Sequence, residues 1–169
     1  MPSYAGAGMA VRLVIFDCDR TLWDHANVSE LVPPFRRVDG EAVEDAGGVR
    51  VRLLPGARDV LEGLRERRIL ISVASWNRPE PVFAIFDLLG LRGYFTRPKV
   101  EFHPYKEKTI RALLDELAAD GTVLHPEDVL FVDDRAVHLE RVRRFIGPVR
   151  TLQPGAGMAD LRDVLAHLD

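Results

Sequence analysis

Two aspartates, Asp17 and Asp19, directly follow a short apolar run in this chain of 169 residues. Because they are two positions apart, both carboxylates can face one cavity if they lie on a strand or its immediate extension. Two carboxylates brought that close repel each other, which favours a cation between them. The available ligands are oxygens, so a hard ion such as Mg²⁺ is the expected cofactor. A pair of solvated turn acids, or a helix cap, is the other interpretation of an Asp-x-Asp segment.

Three further polar motifs stand where strands or helices are predicted to end or begin. Asp133 and Asp134 follow another apolar run and could complete an acidic cup, although such acids also cap helices. Ser75 offers a hydroxyl and a backbone amide to a phosphate oxygen, or forms an ordinary turn. Lys106 near a helix start could place positive charge on the same anion, or be a surface lysine. Together these residues predict a site for a phosphoryl group.

The elements that must position these residues alternate between strands and helices. Strands are predicted at 11–16, 69–74, 94–100, 129–132 and 149–152, and helices at 56–68, 80–89, 105–119, from after 134 to 145, and 158–168. Alternating strands and helices predict an α/β fold, a Rossmann-like three-layer sandwich with a mostly parallel central sheet. Ligands of such sheets bind outside the carboxyl ends of the strands, which is where the acids and the serine fall.

Residues 23–54 lack helical periodicity and contain turn pairs such as Asp39-Gly40 and Gly47-Gly48. They predict a short β-hairpin flap in place of a cap domain, because the segment is too short to form a separate domain. We therefore expect one domain over residues 1–169, with a flexible tail at about 1–8. A site without a cap domain is open to bulky substrates.

Composition restricts the partners and the compartment. The net charge of -3 and the pI near 6.0 give no overall field to attract nucleic acid, and no apolar run reaches the length of a membrane span. Cys18 is the single cysteine, so an intrachain disulfide and a cysteine-based zinc site are excluded. We expect a cytoplasmic protein, a monomer or weak dimer, that acts on a phosphorylated small molecule or a phosphoprotein.

In sequence order, the motifs resemble those of the haloacid dehalogenase-like phosphohydrolases. Within that superfamily, residues from about 11 to the end resemble the small magnesium-dependent phosphatases of the MDP type. The matching segments are Asp17-x-Asp19-x-Thr21-Leu22-Trp23, Pro33-Pro34-Phe35, Pro55-Gly56, Ala74-Ser75, Lys106 and Phe131-x-Asp133-Asp134. A chance match to the first segment alone is easily found, whereas the ordered set is specific.

The resemblance implies a role for each matched acid. Asp17 would be the nucleophile, forming an aspartyl-phosphate and helping to hold Mg²⁺. Asp19 would act as general acid and base and would give its backbone carbonyl to the ion. Asp133 would be a metal ligand, and Asp134 would support the metal or orient Lys106.

Of the remaining matched residues, Ser75 and Lys106 would bind the phosphoryl oxygens. Thr21 would stabilise the loop that carries the nucleophile. Trp76 and Asn77 replace a more usual Arg-Thr-like pair and are predicted to contact the substrate; Trp76 either stacks on a substrate ring or packs under the flap. Arg135 and His138 are two further departures, at positions where family members tend to have Glu and Asn. These departures leave the identity of the substrate open.

Three competing interpretations are compatible with parts of the sequence. A signalling receiver domain also combines acids, Mg²⁺ and a lysine, but it places the acidic pair first and the lysine last. A catalytically silent binding module of the same fold would be expected to lack an acid or the lysine, and none is missing. A phosphatase using Cys18 as nucleophile would need an arginine-rich loop after the cysteine, and the neighbouring acids would repel a thiolate.

Overall fold

The computed structural model describes residues 10–156 and 158–169. The predicted tail at 1–8 lies outside the described residues. The central feature is a five-stranded parallel sheet in the order β6-β5-β1-β7-β8. Its strands are β1 (Leu13–Phe16), β5 (Leu70–Trp76), β6 (Lys99–Glu101), β7 (Val129–Val132) and β8 (Arg150–Leu152). The predicted α/β fold with a mostly parallel sheet is therefore confirmed.

The middle strand β1 explains why the sheet is covered on both faces. All four of its residues are buried, and successive side chains point to opposite sides. Val14 and Phe16 belong to one hydrophobic cluster, whereas Leu13 and Ile15 belong to the other. A continuous apolar run is the pattern expected of a strand with a core on each face.

Helices supply the outer layers. They are α1 (Ala57–Glu66), α2 (Pro79–Leu89), α3 (Lys106–Ala119) and α4 (Ala136–Phe145). The apolar stripe of α3, which includes Ile110, Leu113 and Leu117, packs in the cluster that contains Leu13 and Ile15. No helix in the described part of the chain is both long and apolar enough to cross a bilayer.

The predicted hairpin flap is a three-stranded antiparallel sheet. Its strands are β2 (Arg36–Asp39), β3 (Ala42–Glu44) and β4 (Arg50–Arg52), preceded by a 3-10 turn at Val28–Glu30. The third strand forms because the alternating segment after Gly48 returns along β3, pairing Val43 with Val51. Both valines are buried in the core cluster, so the flap is anchored to the body of the domain.

The prediction of the last helix is wrong in both the type of helix and its first residue. Leu161–His167 is a 3-10 helix, and it starts after Asp160, whose side chain accepts a hydrogen bond from the Arg162 N–H. That N-terminal capping bond fixes the first turn beyond residue 158, where the apolar pattern placed the helix start.

Candidate active site

A cavity of about 340 Å³ opens at the carboxyl ends of β1, β5 and β7. The register of the sheet brings its acids together: Phe16 pairs with Val132, so the next residues, Asp17 and Asp133, lie side by side. The Asp17 N–H donates to the Val132 carbonyl at 2.9 Å and continues the ladder by one residue. Two residues that are 116 positions apart in the sequence thus become neighbours; Asp17 lines the cavity, and Asp133 is fully buried beside it.

Lys106, the first residue of α3, connects these two acids. Its Nζ lies 2.7 Å from Asp17 Oδ1 and 2.6 Å from Asp133 Oδ2, and the residue is only 3% exposed. Burial acts to lower the pKa of this ammonium, but the charges of Asp17 and Asp133 outweigh it and the pKa is raised. Lys106 is therefore a permanent cation at the cavity floor.

Three carboxylates form a group with the spacing of a metal site. One oxygen each from Asp17, Asp133 and Asp134 lies within 4.8 Å of the others. Burial and the charge of Asp17 raise the pKa of Asp133 to about 7 and that of Asp134 to about 6. The raised pKa values mean that the ionised carboxylates lack sufficient positive charge around them. The cluster offers only oxygen ligands, which hard cations prefer. The residues present therefore fit a hard divalent cation such as Mg²⁺.

The Asp19 side chain lies outside this group. Its Oδ1 accepts hydrogen bonds from Trp23 Nε1 at 2.8 Å and from the Val28 N–H at 3.4 Å, and its Oδ2 accepts one from Asn77 Nδ2 at 2.9 Å. Burial nevertheless raises the pKa of Asp19, despite the opposing effect of these donors. A metal role for Asp19 was predicted only through its backbone carbonyl, and it stays a prediction.

Thr21 connects the loops that follow β1 and β7. Its Oγ1 donates to Asp17 Oδ2 at 3.3 Å and accepts from the Asp134 N–H at 3.2 Å. The side chain is fully buried. This geometry places Thr21 where it can fix the orientation of the Asp17 carboxylate.

The two residues after Ala74 are placed differently from each other. Ser75 is buried at the end of β5, where its Oγ accepts from Asn77 Nδ2 at 2.9 Å. Trp76 is 39% exposed and lines the cavity. The Trp76 and His138 rings meet edge-on, with 6.5 Å between their centroids. Trp76 therefore packs against His138 and not only under the flap.

Asn77 was predicted to contact the substrate, but its side chain is used inside the protein. The residue is 1% exposed, its Nδ2 donates to Asp19 and Ser75, and its Oδ1 accepts from Ser29 Oγ at 2.6 Å. Asn77 does not line the cavity. Its position is that of a residue that orients Asp19 and Ser75.

Residues 9–160 match the protein family described as acid phosphatase. The chain belongs to the acid phosphatase family. The match extends from the segment before β1 to Asp160 and thus includes every residue of the cavity floor.

Individual relatives agree with this membership. Human magnesium-dependent phosphatase 1 is 30% identical over 90 residues, which are 53% of this chain and 51% of the human protein, so the match spans about half the length of that relative. A haloacid dehalogenase superfamily hydrolase from Geobacter sulfurreducens superimposes with a TM-score of 0.68 at 17% identity, covering 94% of this chain and 100% of that one.

A second solved structure was determined with Mg. It is the N-terminal part of a Bacteroides fragilis protein that contains a phosphatase domain, with a TM-score of 0.64, 17% identity, and coverage of 96% of this chain and 41% of that one. At these identities the structures show the shared fold. The chain shares the fold of the haloacid dehalogenase superfamily, as the predicted resemblance implies, and the expectation of a magnesium cofactor agrees with the cluster of three aspartates.

Cys18 and His138 are two further polar residues near the site. Cys18 is fully buried, and burial, followed by the charges of Asp17 and Asp19, raises the pKa of its thiol well above the usual value. A protonated, inaccessible thiol is a poor nucleophile. His138 lines the cavity wall, and burial followed by Lys106 lowers its pKa to about 4, so its imidazole is neutral near pH 7.

Sequence reasoning missed several cavity residues. Phe102 follows the end of β6 and is 63% exposed, Asn27 precedes the 3-10 turn, and Arg20 follows Asp19 directly. The neighbouring strand ends were a usable signal for Phe102, because β6 pairs with β5 and places Phe102 one residue beyond the partner of Trp76. Asn27 had no such signal, since the irregular segment gives no register.

Proposed function

We propose that this chain is a magnesium-dependent phosphomonoester hydrolase that acts through an aspartyl-phosphate on Asp17. The observation that carries the proposal is the Lys106 ammonium, buried between Asp17 and Asp133 at the floor of an open cavity. A fixed cation beside a carboxylate that remains accessible from the cavity is suited to receive a dianionic phosphoryl group.

The first half-reaction transfers the phosphoryl group to the protein. A carboxylate oxygen of Asp17 attacks phosphorus in line, and the bond from phosphorus to the ester oxygen breaks. Asp19 gives its proton to the departing oxygen, which leaves as an alcohol. The raised pKa of Asp19 supports this role, because a carboxyl group must hold a proton in order to donate it.

The second half-reaction releases phosphate. Asp19, now ionised, removes a proton from water, and the resulting hydroxide oxygen bonds to phosphorus while the bond to the Asp17 oxygen breaks. Asp17 is regenerated as a carboxylate and Asp19 as an acid, so the cycle closes. Lys106 and Ser75 are proposed to bind the phosphoryl oxygens, and Thr21 to hold the Asp17 carboxylate.

Asp17, Asp133 and Asp134 would hold Mg²⁺, with the Asp19 carbonyl as a proposed further ligand. When bound, the ion would supply positive charge that neutralises the phosphoryl oxygens and the acids around them. Protein groups carry the proton transfers and the covalent bond. The flap strands are anchored in the core, so no cap domain is needed to hold these protein groups in position.

The open cavity supports two substrate classes. Phosphorylated sugars and glycated amines are one, and phosphotyrosine on a protein is the other. Trp76 at the rim supports a ring-bearing leaving group, because an exposed indole offers a flat apolar face. Ranking phosphorylated metabolites and phosphotyrosine peptides by kcat/KM would decide between the two classes.

The mechanism is tested with p-nitrophenyl phosphate, Mg²⁺ and the Asp17→Asn variant. We expect loss of phosphate release by at least about 10³-fold, because the nucleophile is removed. Asp115→Asn, an exposed acid on α3, is the matched control. Borohydride trapping of the wild-type protein during turnover should convert residue 17 to homoserine.

Near-normal activity of a folded Asp17→Asn variant would show that the mechanism is wrong. A long-lived phospho-Asp17 with negligible turnover would instead indicate a phospho-Asp signalling module. Absence of both phosphorylation and turnover would indicate a silent binding module.

A further inference from the structure

Two arginines stand at the cavity rim without partners. Arg20 follows β1 and Arg135 follows β7, both are exposed, and both line the cavity that contains Asp17 and Lys106. Within residues 10–156 and 158–169, neither guanidinium forms a hydrogen bond or an ion pair. Most other arginines of this acidic chain are paired, for example Arg141 with Glu107 at 2.6 Å.

The position of these arginines separates them from the phosphoryl site. The reacting carboxylate, Asp17, is only 6% exposed and lies at the floor beside the buried Lys106. A phosphoryl group in contact with Asp17 therefore sits below the rim. Arg20 and Arg135 are exposed and line the same cavity, so they are available to the part of the substrate that projects outward, which is the leaving group.

The same cavity also contains exposed aromatic side chains. Trp76 is the last residue of β5 and Phe102 follows β6, whereas Arg20 and Arg135 follow β1 and β7. Trp76 lies beside His138, which is on the helix that follows Arg135, so a leaving group in this cavity meets aromatic surface and cations together. A neutral sugar would leave both guanidinium groups without an anionic partner.

We propose that Arg20 and Arg135 bind a second anionic group of the substrate, so that the preferred substrates are phosphomonoesters whose leaving group carries a carboxylate or a further phosphoryl group. This inference rests on the proposed function, because it assigns the floor of the cavity to the phosphoryl group that is transferred. Charge-assisted hydrogen bonds from guanidinium to such an anion supply the selectivity.

The test measures binding rather than turnover. Calorimetric Kd values, with Mg²⁺ and at low ionic strength, are compared for 4-carboxyphenylphosphonate and the neutral 4-carbamoylphenylphosphonate, which has nearly the same shape. We expect the wild-type protein to bind the carboxylate roughly tenfold or more tightly. 1,4-Phenylenediphosphonate provides the second anionic probe.

The variants are Arg20→Gln, Arg135→Gln and the double variant, with Arg143→Gln on α4 as a control of equal charge change away from the cavity. The double variant should reduce the preference for both anionic probes to within about threefold of the neutral one. The control should keep the preference, which excludes a general effect of net charge.

The inference would be overturned if the wild type showed no preference for either anionic probe, or if the preference survived in the double variant. It would also be overturned if the double variant lost affinity equally for the neutral probe, because the arginines would then bind the phosphoryl group. Phosphonates are not hydrolysed, so the outcomes are separable from those of the proposed function. An arginine-dependent preference in a protein that hydrolyses no phosphomonoester would contradict the proposed function alone.

Discussion

Replacing Asp133 by Asn should remove a cost to the stability of the metal-free protein that grows between pH 5 and pH 8. Asp133 is fully buried, and burial together with the charge of Asp17 raises its pKa from 3.8 to about 7 in spite of Lys106. Each unit of pKa shift corresponds to about 1.4 kcal/mol, so ionising Asp133 costs the folded state up to about 4 kcal/mol. Asn has almost the same volume and no charge. If its oxygen accepts from the Arg135 N–H, which donates to Asp133 Oδ1 at 2.9 Å, its Nδ2 faces the Lys106 ammonium, so the test compares the pH dependence of stability and not its absolute value.

The sign of the pH dependence follows from proton binding. Between pH 4 and 7 the folded state holds a proton on Asp133 more tightly than the unfolded state does, so this group lowers stability as the pH rises. His138 acts in the opposite direction: its pKa is lowered to about 4, so its contribution to stability is lost as the pH falls from 6.5. The two trends oppose each other in the wild type, and only a comparison with the variant isolates Asp133.

The assay is urea unfolding in EDTA at pH 5 and pH 8. Between these values the stability of Asp133→Asn relative to wild type should rise by about 2–3 kcal/mol, less any loss from the single remaining carboxylate partner of Lys106. Asp115→Asn is the control and should show no such pH dependence. A relative stability of Asp133→Asn that stays constant between the two pH values would refute the reasoning, because Asp133 would then not be the group that titrates.

Three further predictions concern the cation, Asp19 and the cysteine. Mg²⁺ should raise the Tm more at pH 8 than at pH 6 in differential scanning calorimetry, because protons compete for Asp133 and Asp134, whose pKa values are about 7 and about 6. Asn77→Ala should lower kcat more than it changes KM. The hydrogen bond from Asn77 lowers the pKa of Asp19, so its removal should raise that pKa and move the alkaline decline of kcat/KM to higher pH. An unchanged pH profile would argue against Asp19 as the acid. Cys18→Ala should keep magnesium-dependent hydrolysis, and iodoacetamide should not modify Cys18 in the folded wild type, as mass spectrometry can show; inactivation that tracks alkylation would restore the cysteine mechanism.

The sequence predicted the parts of this molecule that depend on short-range pattern. The apolar runs located β1 and β7, and the acids that follow them met because parallel strands end at one edge of a sheet. Lys106, at the start of α3, lines the cavity, whereas Ser75 is buried near the end of β5 and does not line it. The family motifs gave the order of these residues along the chain, and the register then made Asp17 and Asp133 neighbours.

The parts that were missed depend on long-range contacts. Asn77 is predicted to contact the substrate, yet its side chain is buried and accepts a hydrogen bond from Ser29, which is 48 positions away in an irregular segment. The third flap strand needed the pairing of Val43 with Val51, which the local pattern did not specify. A single sequence contains no signal for either contact, because each depends on how two distant segments pack.

The different surroundings of Asp17 and Asp19 give a physical reason for the proposed division of roles. Asp17 faces a permanent cation, Lys106, whereas Asp19 is surrounded by the neutral donors of Trp23 and Asn77 in a partly buried pocket. Lys106 places a fixed positive charge where a phosphoryl group would contact the nucleophile, whereas the raised pKa of Asp19 suits a group that must hold a proton in order to donate it. The two-residue spacing produces this difference, because Asp17 still belongs to the ladder of β1 and reaches Lys106, while Asp19 lies in the turn that packs against the flap. Under the proposed mechanism, exchanging the two roles would require moving the cation.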